Sequence, residues 1–185
     1  MNRTDKGFSF IELIVSFAIL GVVSLMVLSF TSATAGTYRT VSNDVGIQYE
    51  AQLAMGQLQE YLIDCSGGIC TQGDSLYIVS QGESGGFVAH RFTYSAADRA
   101  LYYSTGEVTG SGTSVACTLS ADYLLAKDMD AFGVSAATRG DRTTVTVSFR
   151  FSRGSKQYSS EQTIFVRNEI QTATTFEALL QMVCA

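Results

Sequence analysis

The sequence predicts an α+β protein: a long N-terminal helix, membrane-spanning in its first half, packed by its second half on an antiparallel β-sheet domain. Three observations carry this. Leu13 to Phe30 is a run of 18 residues without a charge. Ile47, Ala51, Met55, Leu58 and Leu62 recur at helical spacing and make one apolar stripe. Beyond Gly67-Gly68 the pattern changes to short, alternating segments separated by turn residues. The chain therefore divides into a polar start (1–7), a hydrophobic helix (8–30), an amphipathic continuation (31–64) and a β-rich globular domain (65–185).

Taken in order, the polar start carries Arg3 and Lys6, which favour a cytoplasmic N-terminus and place the rest of the chain outside. The charge-free run spans ~27 Å as a helix. With Phe8 to Ile11 added it matches the thickness of a bilayer core. Its polar members are Ser16, Ser24 and Ser29. Glu12 stands at its mouth. A carboxylate at the bilayer centre costs roughly 2.5–3.5 kcal/mol on insertion scales, and less near the interface. Such a group calls for a function and a partner.

The 185 residues contain no proline, so a helix from Phe8 to Ile63 meets no proline stop and would be ~84 Å long. Thr31 to Gly36 is small and polar and reads as a flexible stretch. Gly36 and Gly46 are weak points, each costing about 1 kcal/mol relative to Ala. Strands are expected at Leu76–Val79, Phe87–Tyr94, Ala100–Tyr103 and Thr143–Phe151. The last pairs with Gln157–Arg167 across Arg153-Gly154-Ser155. Ala121–Met129 reads as a short helix or irregular crossover, and Thr175–Val183 as a short amphipathic helix.

Composition excludes several classes. With 46% hydrophobic and 16% charged residues the chain is too apolar for disorder. Twelve Lys+Arg against 17 Asp+Glu gives a net charge of −5, which argues against a nucleic-acid partner. One His and four Cys leave little for a metal site, and no cofactor is expected. Gly82-Glu83-Ser84-Gly85-Gly86 is similar to the surroundings of a trypsin-like nucleophile. The lone His90 follows that serine by six residues inside a strand, so the partners of a triad are missing. The segment reads as a hairpin turn, Tyr102-Tyr103 as strand packing, and the chain as no enzyme.

Gly7-Phe8-Ser9-Phe10-Ile11-Glu12-Leu13, followed by the apolar run with Gly21 inside it, resembles the class III signal of type IV prepilins and pseudopilins. The resemblance implies a pilin fold and a set of roles. Prepilin peptidase would cut after Gly7 and methylate the amino group of Phe8. The helix would wait in the inner or cytoplasmic membrane and then enter a cell-surface filament with other pilin subunits. Glu12 would neutralise the N-terminal ammonium of a neighbour, since each charge is costly alone in an apolar bundle and tolerable when paired. The motif covers about 25 residues. Tyr123-Leu124-Leu125, a Phe132 segment and Phe165-Val166-Arg167-Asn168 resemble minor pilins of the J/W type, which help initiate or cap a filament of a pilus, competence or type II secretion system.

Competing readings of the N-terminus are a Sec signal peptide ending at Ala33-Thr34-Ala35, a plain single-pass anchor, and a buried soluble helix. The first two would make the chain a membrane-anchored or secreted extracellular ligand-binding domain. The apolar run exceeds a signal peptide's usual length, and Glu12 is an odd start to one.

Cys65, Cys70, Cys117 and Cys184 all follow the apolar run, and an even count in an exported domain points to disulfides. Three connectivities are open, as are reduced, buried thiols. Cys65–Cys70 across a short loop with Cys117–Cys184 closing a long one is the favoured expectation.

Overall fold

The structure is a computed structural model that describes residues 9–83, 85–140 and 142–184. The chain divides into two compact units, Met1–Ser42 and Asn43–Ala185. One helix, α1 (Phe10–Ile63), begins in the first and ends in the second. The stretch from Thr31 to Gly36, expected to be flexible, is continuous helix. The hydroxyls of Thr31, Thr34, Thr37 and Thr40 each donate to the carbonyl four residues earlier, at 2.8–3.1 Å. A polar stretch without proline thus satisfies its side chains on its own backbone.

The second unit places Ile47, Ala51, Met55, Leu58 and Leu62 of α1 in the core, all the residues of the sequence stripe, with Ala54 beside them. They meet two sheets. The larger contains β1 (Gly68–Gln72), β2 (Ser75–Gln81), β3 (Phe87–Ser95), β4 (Ala100–Thr109), β5 (Ala116–Cys117), β6 (Tyr123–Lys127) and the short β10 (Gln171–Ala173). Its order is β10-β1-β2-β3-β4-β5, with β6 also on β4. It is antiparallel except for β1 against β10. The smaller sheet is the antiparallel β7-β8-β9, from β7 (Met129–Arg139), β8 (Arg142–Arg153) and β9 (Lys156–Phe165). Helix α2 (Phe176–Val183) closes the chain, capped by the Thr175 hydroxyl, which accepts from the Ala178 N–H.

Alternation decides which face each strand residue takes. Leu76 and Ile78 of β2 join the cluster around α1, together with Phe92, Leu101, Val145, Val147, Phe149 and Phe151. Tyr77 and Val79 point the other way, into a second cluster with Cys70, Ala89, Leu179 and Leu180 under α2. The large sheet therefore carries a helix on each face.

One expectation needs correction. Ala121–Met129 is neither helix nor irregular crossover. It holds strand β6 on β4, then the start of β7. Tyr123-Leu124-Leu125 hides the period of two because Tyr123 and Leu124 are both exposed and Ala126 is the buried member. Gly46, a weak point of the helix by propensity, is also a place of close approach, since a Cβ there would lie 2.8 Å from the Arg153 guanidinium.

That guanidinium joins three elements. It donates to Glu50 of α1 at 2.8 Å and to Asp128, between β6 and β7, at 2.6 Å. Glu50 also accepts the Lys127 N–H at 3.2 Å. The Arg153 and Glu50 side chains are only 26% and 21% exposed, so the pair is little screened. Arg167–Asp64 is the contrast, at 2.9 Å but 70% and 66% exposed. Arg153→Ala should lower unfolding stability by about 1.5–3 kcal/mol. Arg167→Ala should change it by less than about 0.5 kcal/mol. Thermal unfolding of the two variants in one detergent tests this, and equal losses would contradict it.

Candidate functional site

Glu12 lies in the first turn of α1, where the partial positive charge of a helix N-terminus favours a carboxylate. Its N–H donates to the Ser9 carbonyl at 3.0 Å, and its carbonyl accepts the Ser16 hydroxyl at 2.7 Å. Its side chain is exposed. Gly7 and Phe8, expected to flank a cleavage site, lie outside the described residues.

From Leu13 to Phe30 the helix is apolar on every side and exposed throughout, with Phe17 66%, Leu25 68% and Phe30 74% accessible. It is long and apolar enough to cross a membrane. A helix that is hydrophobic all round is a buried or membrane-embedded element, and among the described residues this one is fully exposed. Two of its polar side chains are neutralised internally. Ser16 and Ser24 donate to the carbonyls of Glu12 and Leu20 at 2.7 and 2.8 Å, which removes unpaired donors from a hydrocarbon setting.

The four cysteines are free thiols, so neither expected disulfide is formed in this structure. Cys65 belongs to the cluster around α1, and its thiol sits 3.4 Å from the carbonyls of both Gly68 and Val79. Cys70 belongs to the cluster under α2. Short spacing along the chain did not bring these two into one cluster. Cys117 packs on the same cluster as Cys70, and Cys184 is the C-cap residue of α2, its carbonyl accepting the Gly112 N–H at 3.3 Å. Burial pushes the Cys65 thiol up to about 11 and raises Cys70, Cys117 and Cys184 as well.

Among the described residues no group of three His, Cys, Asp or Glu side chains is placed to hold a metal ion. Gly82–Gly86 forms the β2–β3 turn, closed by Gly82 N–H to Gly86 carbonyl at 2.7 Å, with Gly85 at φ +82°. Ser84 is outside the described residues. His90 is already engaged elsewhere. Its ring stacks on Tyr61 of α1 with centroids 4.2 Å apart, and its Nδ1 lies 2.8 Å from the Tyr103 hydroxyl. That hydroxyl donates to Tyr61 at 3.2 Å. The Tyr61–His90–Tyr103 link between α1, β3 and β4 was invisible in sequence, because the three residues stand far apart and follow no motif.

Two measurements follow from these environments. In reduced, folded protein at pH 8, alkylation should modify Cys184 and Cys117 well before Cys65, because only the thiolate reacts and burial disfavours it most at Cys65. Peptide mapping showing Cys65 modified first would contradict this. Burial also lowers the affinity of His90 for a proton below the ordinary value of 6.5. The stability contributed by the neutral ring is present above pH 6.5 and is lost as pH falls through the lower folded value. The thermal midpoint should drop more in the wild type than in His90→Asn between about pH 7 and pH 5. Equal drops would contradict it.

The geometry gives an exposed apolar helix with a carboxylate in its first turn, ahead of a folded β-rich unit. No curated protein and no solved structure matches the chain. Residues 2–28 match the family described as the prokaryotic N-terminal methylation motif. Over that stretch the chain carries the type IV pilin and pseudopilin signal.

Proposed function

We propose that this chain is a structural, minor subunit of a type IV pilus or a related competence or secretion filament, matured by prepilin peptidase and assembled through α1. The observation that carries the reading is a coincidence of three things in one segment. The methylation motif spans residues 2–28, the helix it enters is exposed and apolar on all sides, and a single carboxylate, Glu12, interrupts that surface. In a bilayer the apolar surface is solvated by lipid. In a filament the same surface is covered by neighbouring helices.

Cleavage after Gly7 exposes the amino group of Phe8, which is then methylated. The mature chain, with ten Lys+Arg and sixteen Asp+Glu, carries a net charge of −6. Glu12 pairs with the ammonium of an adjacent subunit. Arg3 and Lys6 hold the start of the chain in the cytoplasm and leave Asn43–Ala185 outside. Outside the cytoplasm Cys117 and Cys184, both half-buried, are the pair expected to be oxidised by a disulfide-donating oxidoreductase. The work of the chain is assembly, with no catalytic residues, and its partners are the peptidase, the membrane and other pilins. The minor role is supported by the Tyr123-Leu124-Leu125 and Phe165–Asn168 patterns.

Intact mass and N-terminal peptides of the mature protein should begin at N-methylated Phe8. Protein retaining Met1, or beginning at Gly36, would overturn the peptidase assignment. Gly7→Phe should block maturation. Glu12→Ala should mature normally yet be depleted at least about tenfold from sheared filaments, the loss expected when one buried charge is left alone. Normal incorporation of Glu12→Ala would remove its pairing role.

A further inference from the structure

A strand at the rim of a sheet shows a row of unpaired N–H and C=O groups, and proteins blunt it by shortness, a bulge, proline or charge. The other outer strands here are blunted. β10 has three residues and β5 two. β7 and β6 each carry one extra residue, Asp130 and Leu125, where the register shifts. β9 is the exception. It pairs with β8 over ten residues, Lys156–Phe165, with no shift in register, and the chain has no proline. It ends the order β7-β8-β9, so among the described residues its outer edge meets no strand.

Beneath that edge the sheet stops short of covering α1. Ile164 of β9 reaches the core, but Ser160 and Gln162 on the same face of the strand line a groove of about 210 Å³ against Met55, Gly56 and Gln59 of α1. No residue lining the groove carries a charge. Lys156 stands at the first position of β9, off the groove, and the exposed Glu161 alternates to the other face. The amide of Gln162 donates to the Gln59 side chain at 3.5 Å, a long hydrogen bond that holds the groove shut only weakly. Gly56 adds room, since a Cβ built on it meets nothing within 4 Å.

We infer that the β9 edge and the groove beneath it take an extended segment of a different protein, added to the small sheet as a fourth strand. The unpaired backbone row selects an extended polypeptide, and the groove selects its side chains at alternate positions. Those that face α1 are apolar and uncharged, because the groove offers no ion partner and an unpaired charge there is costly. The β9 strand of a second copy is the wrong occupant. It would bring Ser160 and Gln162 inward, and that face is already turned to its own α1. The site goes beyond the filament reading and does not depend on it.

The test uses the full-length chain in neutral detergent micelles and a fluorescent, end-capped peptide of about seven residues that alternates threonine with valine. The peptide should bind, and amide hydrogen exchange across Lys156–Phe165 should slow at least about tenfold while Met129–Arg139 is unchanged. Its fully N-methylated analogue, which lacks backbone donors, should bind at least about tenfold more weakly, as should an analogue with lysine at the valine positions. Gly56→Leu fills the groove with a better helix former, so it should weaken binding at least about tenfold with a thermal midpoint no lower than that of the wild type. Absence of binding, equal binding of the N-methylated analogue, or binding that ignores Gly56→Leu would overturn the inference. Self-association of the chain that Gly56→Leu abolishes would also overturn it, by making a second copy the occupant.

Discussion

A carboxylate at the entrance to a long apolar helix needs a cation, and the described part of this chain offers Glu12 none. The helix dipole helps it only within the first turn. Everything after it, from Leu13 to Phe30, is exposed apolar surface that water does not satisfy. The two unmet demands are complementary. A bilayer meets the apolar one while leaving the acid near the interface. Packing against like helices meets both at once, if each neighbour presents an ammonium beside the acid. Cleavage after Gly7, as proposed, would create a new amino group four residues before Glu12 in the sequence.

The second unit solves a separate problem, holding the end of α1 against two sheets. Apolar burial does most of this through the Ile47–Leu62 stripe. Polar groups fix its register. Glu50 receives donors from both β6 and Arg153 of β8, and Tyr61 is held by His90 and Tyr103. These contacts give α1 one seating among those that a plain apolar stripe would allow, since buried polar groups are costly when unmatched. Gly46 fits the same logic, giving the Arg153 side chain room next to the helix.

The parts legible in sequence were those with a strong period or an uninterrupted composition. The apolar run, the α1 stripe, the alternation of Val145, Val147, Phe149 and Phe151, and the amphipathic end at Thr175–Val183 all reappear as elements. The α+β class followed from their order. The short elements were not legible. β5 has two residues and β10 three, and β1 begins at a glycine that sits against the Gln171 carbonyl in a parallel pair. Such strands exist because the sheet supplies their partners, not because their own residues demand it. β6 was misread because exposed Tyr123 and Leu124 break the apolar–polar alternation. The acid at the helix mouth was legible from its neighbours alone.

The central claim is that the carboxylate of Glu12 meets the amine of an adjacent subunit. Zero-length carbodiimide coupling of sheared filaments, followed by peptide mass spectrometry, reads this contact directly. The account predicts a peptide in which Glu12 is joined by an amide to the N-terminal amine of a neighbouring chain. Recovery of Glu12 uncoupled, while that amine is joined to a different carboxylate, would contradict it.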